Sequence, residues 1–228
     1  MKAVVVNGSA RKNWNTAQLC RESARGLEEA GFETELINLC DYAFKGCVSC
    51  YGCHLKTSME KHLCFYRDDL TPILEKLLEA DVIILSSPVF YGEVSVQIRS
   101  LMERMLFPLD TYYAEDGKRV LKRSKKVPTG FIFTMNATKE QMTHYHMNEN
   151  LHRSANALSG IYGIPCEELY SCDTLQFTDY SRYTVNIFDP DHKKEHHDQQ
   201  FPIDLANAYE MGKRLAEKAM EIRKEEEK

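Results

Sequence analysis

No apolar run in this 228-residue chain approaches the roughly 20 residues that a membrane-spanning helix needs, and the mean hydropathy is -0.46. Glycine and proline are sparse, at 11 and 7 residues, which excludes fibrous and low-complexity classes. Cations are not in excess either: 29 Lys and Arg stand against 34 Asp and Glu, for a net charge of -5. Nucleic acid and anionic membrane are therefore not expected as partners, because binding phosphates requires clustered positive charge. The N-terminal apolar run, Ala3 to Val6, ends after four residues with no cleavage pattern behind it, so a cytoplasmic location is expected. Also missing are the Gly-Lys-Ser/Thr ending of a nucleotide-hydrolysing loop, the GxGxxG of a dinucleotide fold, a serine-hydrolase triad and a paired-carboxylate pattern.

What is present is an alternation of β-branched runs with amphipathic helical stretches, the pattern of an α/β protein with a parallel sheet covered on both faces. Strands are expected at Lys2–Asn7, 33–39, 82–86 (stopped by Pro88), 127–134 and 165–171. Helices are expected at 16–30, after Asp68 and Asp69, from Val94, from Thr138 to about Leu158, and from about Ile203 to the frayed end. In the fourth of these, Thr138 and Gln141 have capping-box spacing, and Met142, Tyr145, His152 and Ala155 are expected to face inward, wholly or in part. With no repeat and no linker, residues 1–228 read as one domain carrying a cysteine-rich insertion at 40–67 and an irregular excursion at 172–202. The aromatic residues of that excursion favour packing over disorder, either over the active site or against a neighbouring protomer.

Between the first strand and the first helix lies Asn7-Gly8-Ser9-Ala10-Arg11-Lys12-Asn13-Trp14-Asn15-Thr16. Backbone N–H groups and the positive helix end converge there, and hydroxyl, amide and guanidinium donors suit a phosphate monoester. A loop that merely caps a helix has the same composition. A second segment, Ser86-Ser87-Pro88-Val89-Phe90-Tyr91-Gly92-Glu93-Val94, closes the third strand. In an open sheet of order 2-1-3-4-5 the ligand sits over the carboxyl ends of strands one and three, so both loops would face one cavity.

These two segments resemble the phosphate loop and the Ser-Pro-x-Tyr-x-Gly element of the flavodoxin-like NAD(P)H-dependent FMN reductase family, over roughly residues 1–172. The resemblance implies a flavodoxin-like three-layer sandwich and assigns the FMN phosphate to Ser9, Arg11, Asn15 and Thr16. Trp14 would stand beside the flavin or anchor the loop. Pro88, Val89, Phe90, Tyr91 and Gly92 would line the isoalloxazine ring, with Phe90 where the family often has tyrosine. Met135 and Asn136, after the fourth strand, would approach the flavin edge, although the family's glycine-rich turn is missing there. NAD(P)H is the implied electron donor, and the implied assembly is a homodimer or homotetramer.

Eight cysteines remain, at 20, 40, 47, 50, 53, 64, 166 and 172. Without an export signal they are expected to be thiols or metal ligands rather than disulfides. Cys47, Cys50 and Cys53 form CxxCxxC, and Cys64 follows. Such spacing suits a [4Fe–4S] cluster or zinc, and it equally suits free or redox-active thiols. The motif is similar to that of the iron–sulfur flavoproteins, with a longer final spacing. Cys20, Cys40, Cys166 and Cys172 read as small hydrophobes.

Six cations between Lys118 and Lys126 read as a solvated edge, with an NADPH phosphate contact as the sharper alternative. His192, His196 and His197 with Asp191 and Asp198 read as a polar loop rather than a metal tract. His144 and His146 read as helix-surface residues. The expected function is FMN-dependent electron transfer from NAD(P)H to a small acceptor such as a quinone or free flavin. The alternative is an iron–sulfur flavoprotein carrying single electrons between redox partner proteins.

Overall fold

The apolar run Ala3–Val6 has no polar alternation, and such a strand is stable only where both of its faces are covered. The computed structural model, which describes residues 1–58, 61–122 and 125–227 and every side chain among them except that of Arg119, places it inside a parallel sheet, between two neighbouring strands. The strands are β1 (Lys2–Asn7), β2 (Glu33–Asn38), β3 (Val82–Phe90), β4 (Thr129–Thr134) and β5 (Glu167–Ser171), in the order β2-β1-β3-β4-β5. Edge strand β2 alternates, burying only Ile37, as an edge facing water on one side should.

The helices are α1 (Asn15–Glu29), α2 (Thr71–Glu79), α3 (Val96–Leu106), α4 (Lys139–His144), α5 (Met147–Tyr162) and α6 (Pro190–Glu226). One core layer joins Leu19, Cys20 and Leu27 of α1 with Met211 and Leu215 of α6 against Val5, Ile84 and Ile132. The other joins α2, α3 and α5 through Leu77, Leu101 and Leu158 against Val4, Ile83 and Phe131. This is the flavodoxin-like three-layer arrangement, with helices on both faces of the sheet. Among the described residues no helix is long and apolar enough to cross a membrane.

Several element ends shift by about two residues, and four features differ from expectation in kind. Pro88 does not stop β3: pairing with β1 ends at Ser86, so beyond it the missing N–H of proline falls where no β1 partner needs it, and the strand continues to Phe90. The helix after Thr138 keeps its capping box but breaks at His146, whose left-handed φ of 55° precedes α5. Tyr145 and His152, expected inward, are exposed as a result. Helix α6 begins at Pro190 rather than near Ile203, which shortens the irregular excursion by more than a third. Its start has an ordinary helix signature: Asp189 caps by accepting from the Asp191 N–H, and Pro190 follows at the first helical position. Pro202 sits inside the helix, where the ring normally costs about 3 kcal/mol. Burial of neighbouring Phe201 and a 2.5 Å hydrogen bond from Ser171 Oγ to buried Asp204 hold the helix through it. Finally, Cys40 lies in a 3-10 turn after β2, half-buried.

Helices α1 and α6 meet at backbone distance. A Cβ on Gly26 would lie 2.1 Å from the Tyr209 carbonyl oxygen, and one on Gly212 would lie 2.2 Å from that of Ser23. Alanine at either site gains about 1 kcal/mol of helix propensity. The steric cost of separating two packed backbones is larger, about 1–3 kcal/mol, and should decide the sign. Gly26→Ala and Gly212→Ala are each expected to lower the thermal midpoint measured by circular dichroism, and Gly212→Val to lower it further. Midpoints at or above that of the parent protein would show that the contact is not tight.

Candidate cofactor site

The order β2-β1-β3-β4-β5 reverses direction at β1 and β3, so the connections leaving these two strands run to opposite sides and a crevice opens at their carboxyl ends. A cavity of about 400 Å³ lies there, within the range of small-molecule sites. Its walls come from the 8–16 loop, the end of β3, the end of β4 and residues Thr174 and Gln176.

The first wall is held at close quarters. The Gly8 N–H donates to Ser86 O at 2.8 Å, and a Cβ on Gly8 would fall 2.2 Å from Ile98 of α3, so only glycine fits. Asn7, fully buried, accepts from the Ser9 N–H through Oδ1 at 3.0 Å and donates through Nδ2 to Asn38 at 2.9 Å. Ser9 Oγ accepts from the Arg11 N–H at 3.1 Å. Helix α1 then begins with Trp14 at its N-cap, and no side chain among the described residues caps its first N–H groups. Orphan donors at a helix start, with the positive end of the helix dipole, form an anion site. The Arg11 guanidinium lies 4.0 Å above the Trp14 ring and makes no salt bridge among the described residues. Burial pulls its pKa down, with Tyr183 and Tyr180 opposing.

Ser9, Arg11, Trp14, Asn15 and Thr16 all line this cavity. Two of the donors are already engaged. Asn15 Nδ2 donates to Leu175 O at 2.9 Å, and Thr16 Oγ1 shares a 2.7 Å hydrogen bond with Thr134 Oγ1. Trp14 Nε1 also donates to Leu175 O, at 3.0 Å, so the only tryptophan anchors the loop.

The second wall is a β-hairpin. Val89 and Phe90 pair antiparallel with Val94 and Glu93, and Tyr91 and Gly92, at φ 52° and 78°, make the two-residue turn that such hairpins favour. Pro88, Val89 and Phe90 line the cavity. Tyr91, fully solvent-exposed at the hairpin tip, and Gly92 are not among the residues that line it. The third wall contains Met135 and Asn136, and Asn136 Oδ1 is buried with no hydrogen-bond partner among the described residues. The donor set and this orphan acceptor fit a phosphorylated, polar-edged ligand. Sequence reasoning missed Thr174 and Gln176. The aromatic residues around them were the available signal: Phe177 stacks on Tyr183 at 3.8 Å and packs edge-on to Tyr180.

The cysteine segment folds beside α3, away from this cavity. Arg104, 1% exposed, donates to Lys45 O, Asp68 Oδ2 and Tyr66 O at 3.0, 2.6 and 2.7 Å, pinning both ends of the segment. Burial pulls the Arg104 pKa down, but Asp68 and the Cys64 sulfur outweigh it and the net shift is upward. Cys53 and Cys64 are buried, Cys47 is half-buried and Cys50 exposed. Cys53 Sγ lies 3.1 Å from His54 Nδ1, its carbonyl accepts from Lys122, and burial pushes its thiol pKa up. Among the described residues no three His, Cys, Asp or Glu side chains converge as a metal-ligand set. As folded here, the four sulfurs do not form a cluster cage. Cys20, its thiol pKa pushed up to about 12 by burial, is a core residue, whereas Cys166 and Cys172, read as small buried hydrophobes, are only half-buried, their pKa values pushed up to about 12 and about 11.

The basic run is tied to structure. Lys122 holds Cys53 and Lys125 pairs with Asp81 at 2.8 Å; Arg123 and the Arg119 side chain lie outside the described residues. His192, His196 and His197, expected in a loop, sit on the first turns of α6.

The sequence model of the NADPH-dependent FMN reductase family matches residues 1–157. An iron-sulfur flavoprotein of Methanocaldococcus jannaschii is 42% identical over 104 residues, 46% of this chain and 51% of that protein. Another, of Archaeoglobus fulgidus, is 34% identical over 106 residues, 46% of each. The match thus spans about half the length of these curated relatives. Among solved structures, an NAD(P)H:quinone oxidoreductase from Methanothermobacter marburgensis superposes with a TM-score of 0.66 at 14% identity, over 94% of this chain and 96% of that one. An FMN-dependent NADH-azoreductase from Bacillus anthracis, solved in complex with FMN, gives 0.64 at 12% identity, over 95% of this chain and 100% of that one. At such identities these likenesses show the fold alone. The family match includes the 8–16 loop, β3 and β4, the elements that build three of the cavity walls, and on that match the chain belongs to the NADPH-dependent FMN reductase family.

Proposed function

We propose that this protein binds FMN in the strand-end cavity and transfers electrons from NAD(P)H to a small acceptor such as a quinone or free flavin. The observation that carries this reading is the uncapped start of α1 beside Arg11, opening into a cavity built from three strand ends. Ser9, Arg11 and the first N–H groups of α1 hold the phosphate in this reading. Asn15 and Thr16 shape the loop through Leu175 and Thr134. Pro88, Val89 and Phe90 flank the ring on one side, and Asn136 offers its free Oδ1 on another. FMN itself supplies the hydride chemistry, so the chain needs no nucleophile of its own. A homo-oligomer acting in the cytoplasm belongs to the same reading.

The second reading, an iron–sulfur flavoprotein acting as a single-electron carrier, is favoured by the names of the curated relatives. Cys47, Cys50, Cys53 and Cys64 would then be the ligands, after the segment between Arg104 contacts rearranges to gather them.

Three outcomes are expected. Purified protein reconstituted with FMN should show a flavin band that NADPH or NADH bleaches anaerobically; a protein that retains no FMN would defeat the proposal. The Ser9→Ala/Arg11→Ala variant should lose several kcal/mol of FMN affinity, the scale of about two charge-assisted hydrogen bonds, while riboflavin affinity changes little. Equal losses for both ligands would mean that the phosphate lies elsewhere. Iron and acid-labile sulfide measured on anaerobically purified protein decide the second reading, with about four of each per chain for a [4Fe–4S] cluster and none for a plain reductase.

A further inference from the structure

Lys193 is 2% exposed, an unusual position for an ammonium group, which is almost never fully buried unless paired. Its Nζ donates to the Asn136 carbonyl at 2.7 Å and pairs with the carboxylate of Asp173, itself 4% exposed. One partner belongs to a cavity wall and the other adjoins one. Asn136 lines the cavity directly, and Asp173 precedes Thr174, which also does. Asp173 adopts a left-handed φ of 55° and donates its N–H to Ala137 O at 2.8 Å. Thr174 donates both its N–H and its hydroxyl to Met135 O, each at 3.0 Å. The next carbonyl, of Leu175, accepts from Trp14 and Asn15 of the phosphate loop. An unbroken series of polar contacts therefore runs from the first turns of α6 through two walls to the loop at the start of α1.

Residue 193 lies beyond the segment matched by the family, which ends at 157. We propose that Lys193 is a positioning residue for the cofactor: through its bridge between Asp173 and Asn136, this chain's own C-terminal region sets the spacing of the cavity walls. The inference rests on the FMN reading of the site. Removing the lysine alone leaves a buried carboxylate, with His192 Nε2 at 3.1 Å and His196 Nδ1 at 3.9 Å as its remaining basic neighbours. That change costs stability as well as position.

The two effects separate in a comparison of Lys193→Met with Lys193→Met/Asp173→Asn, both titrated with FMN and with riboflavin well below their unfolding midpoints. Lys193→Met should weaken both ligands by the same factor, roughly tenfold or about 1.4 kcal/mol, because a wall has moved and the phosphate contacts have not. The double variant should recover thermal stability, since no unpaired carboxylate remains, without recovering affinity, since the Asn136 carbonyl is still unheld. The double variant also keeps the test alive if the single one does not fold. Affinity that returns together with stability, or a folded Lys193→Met protein with parental affinity, overturns the inference alone. A parent protein that does not bind FMN overturns the flavin reading and this inference with it.

Discussion

A parallel sheet must be covered on both faces, and in this chain that requirement decides where anything can bind. The connection after β1 passes over one face and the one after β3 over the other, so their carboxyl ends part and leave a crevice that no helix fills. Every element of the candidate site hangs on that geometry. Gly8 brings the first loop within hydrogen-bond distance of Ser86, Asn7 braces it from below, and α1 starts with its N–H groups pointing at the crevice.

Helix α6 connects the far side of the molecule to the same crevice. It meets α1 at backbone distance through Gly26 and Gly212, and its first turn places Lys193 inside the polar contacts that join the cavity walls. Arg104 performs a comparable service for the cysteine segment, gathering Lys45, Tyr66 and Asp68 around one buried guanidinium. The ends of the segment are thus tied to α3 by hydrogen bonds.

The inner strands were legible because they carry short apolar runs with nothing polar inside them, as in Val4-Val5-Val6 and Ile83-Ile84-Leu85, while the edge strands β2 and β5 mix charged with apolar residues. The first two cavity walls were legible because loops after β1 and β3 must meet in that strand order. What was not legible depended on contacts distant in sequence. A break at His146 has no glycine or proline to announce it, and is marked only by the 2.9 Å contact between His146 Nδ1 and Glu149. The helical run through Pro202 depends on tertiary partners of Phe201 and Asp204. Thr174 and Gln176 are held at the cavity by contacts distant in sequence, Thr174 on Met135 and Leu175 on Trp14 and Asn15, some 160 residues earlier. The start of α6 was recoverable, since Asp189-Pro190 is a helix-opening pair, but the polar composition that follows obscured it.

The account stands or falls on whether these separated segments form one cofactor site. Hydrogen exchange followed by mass spectrometry, with and without saturating FMN, measures this directly. Slowed exchange should appear together in residues 8–18, 134–137 and 173–177, with the cysteine segment at 43–58 unchanged. No slowing in the 8–18 loop, or slowing confined to the cysteine segment, would contradict it.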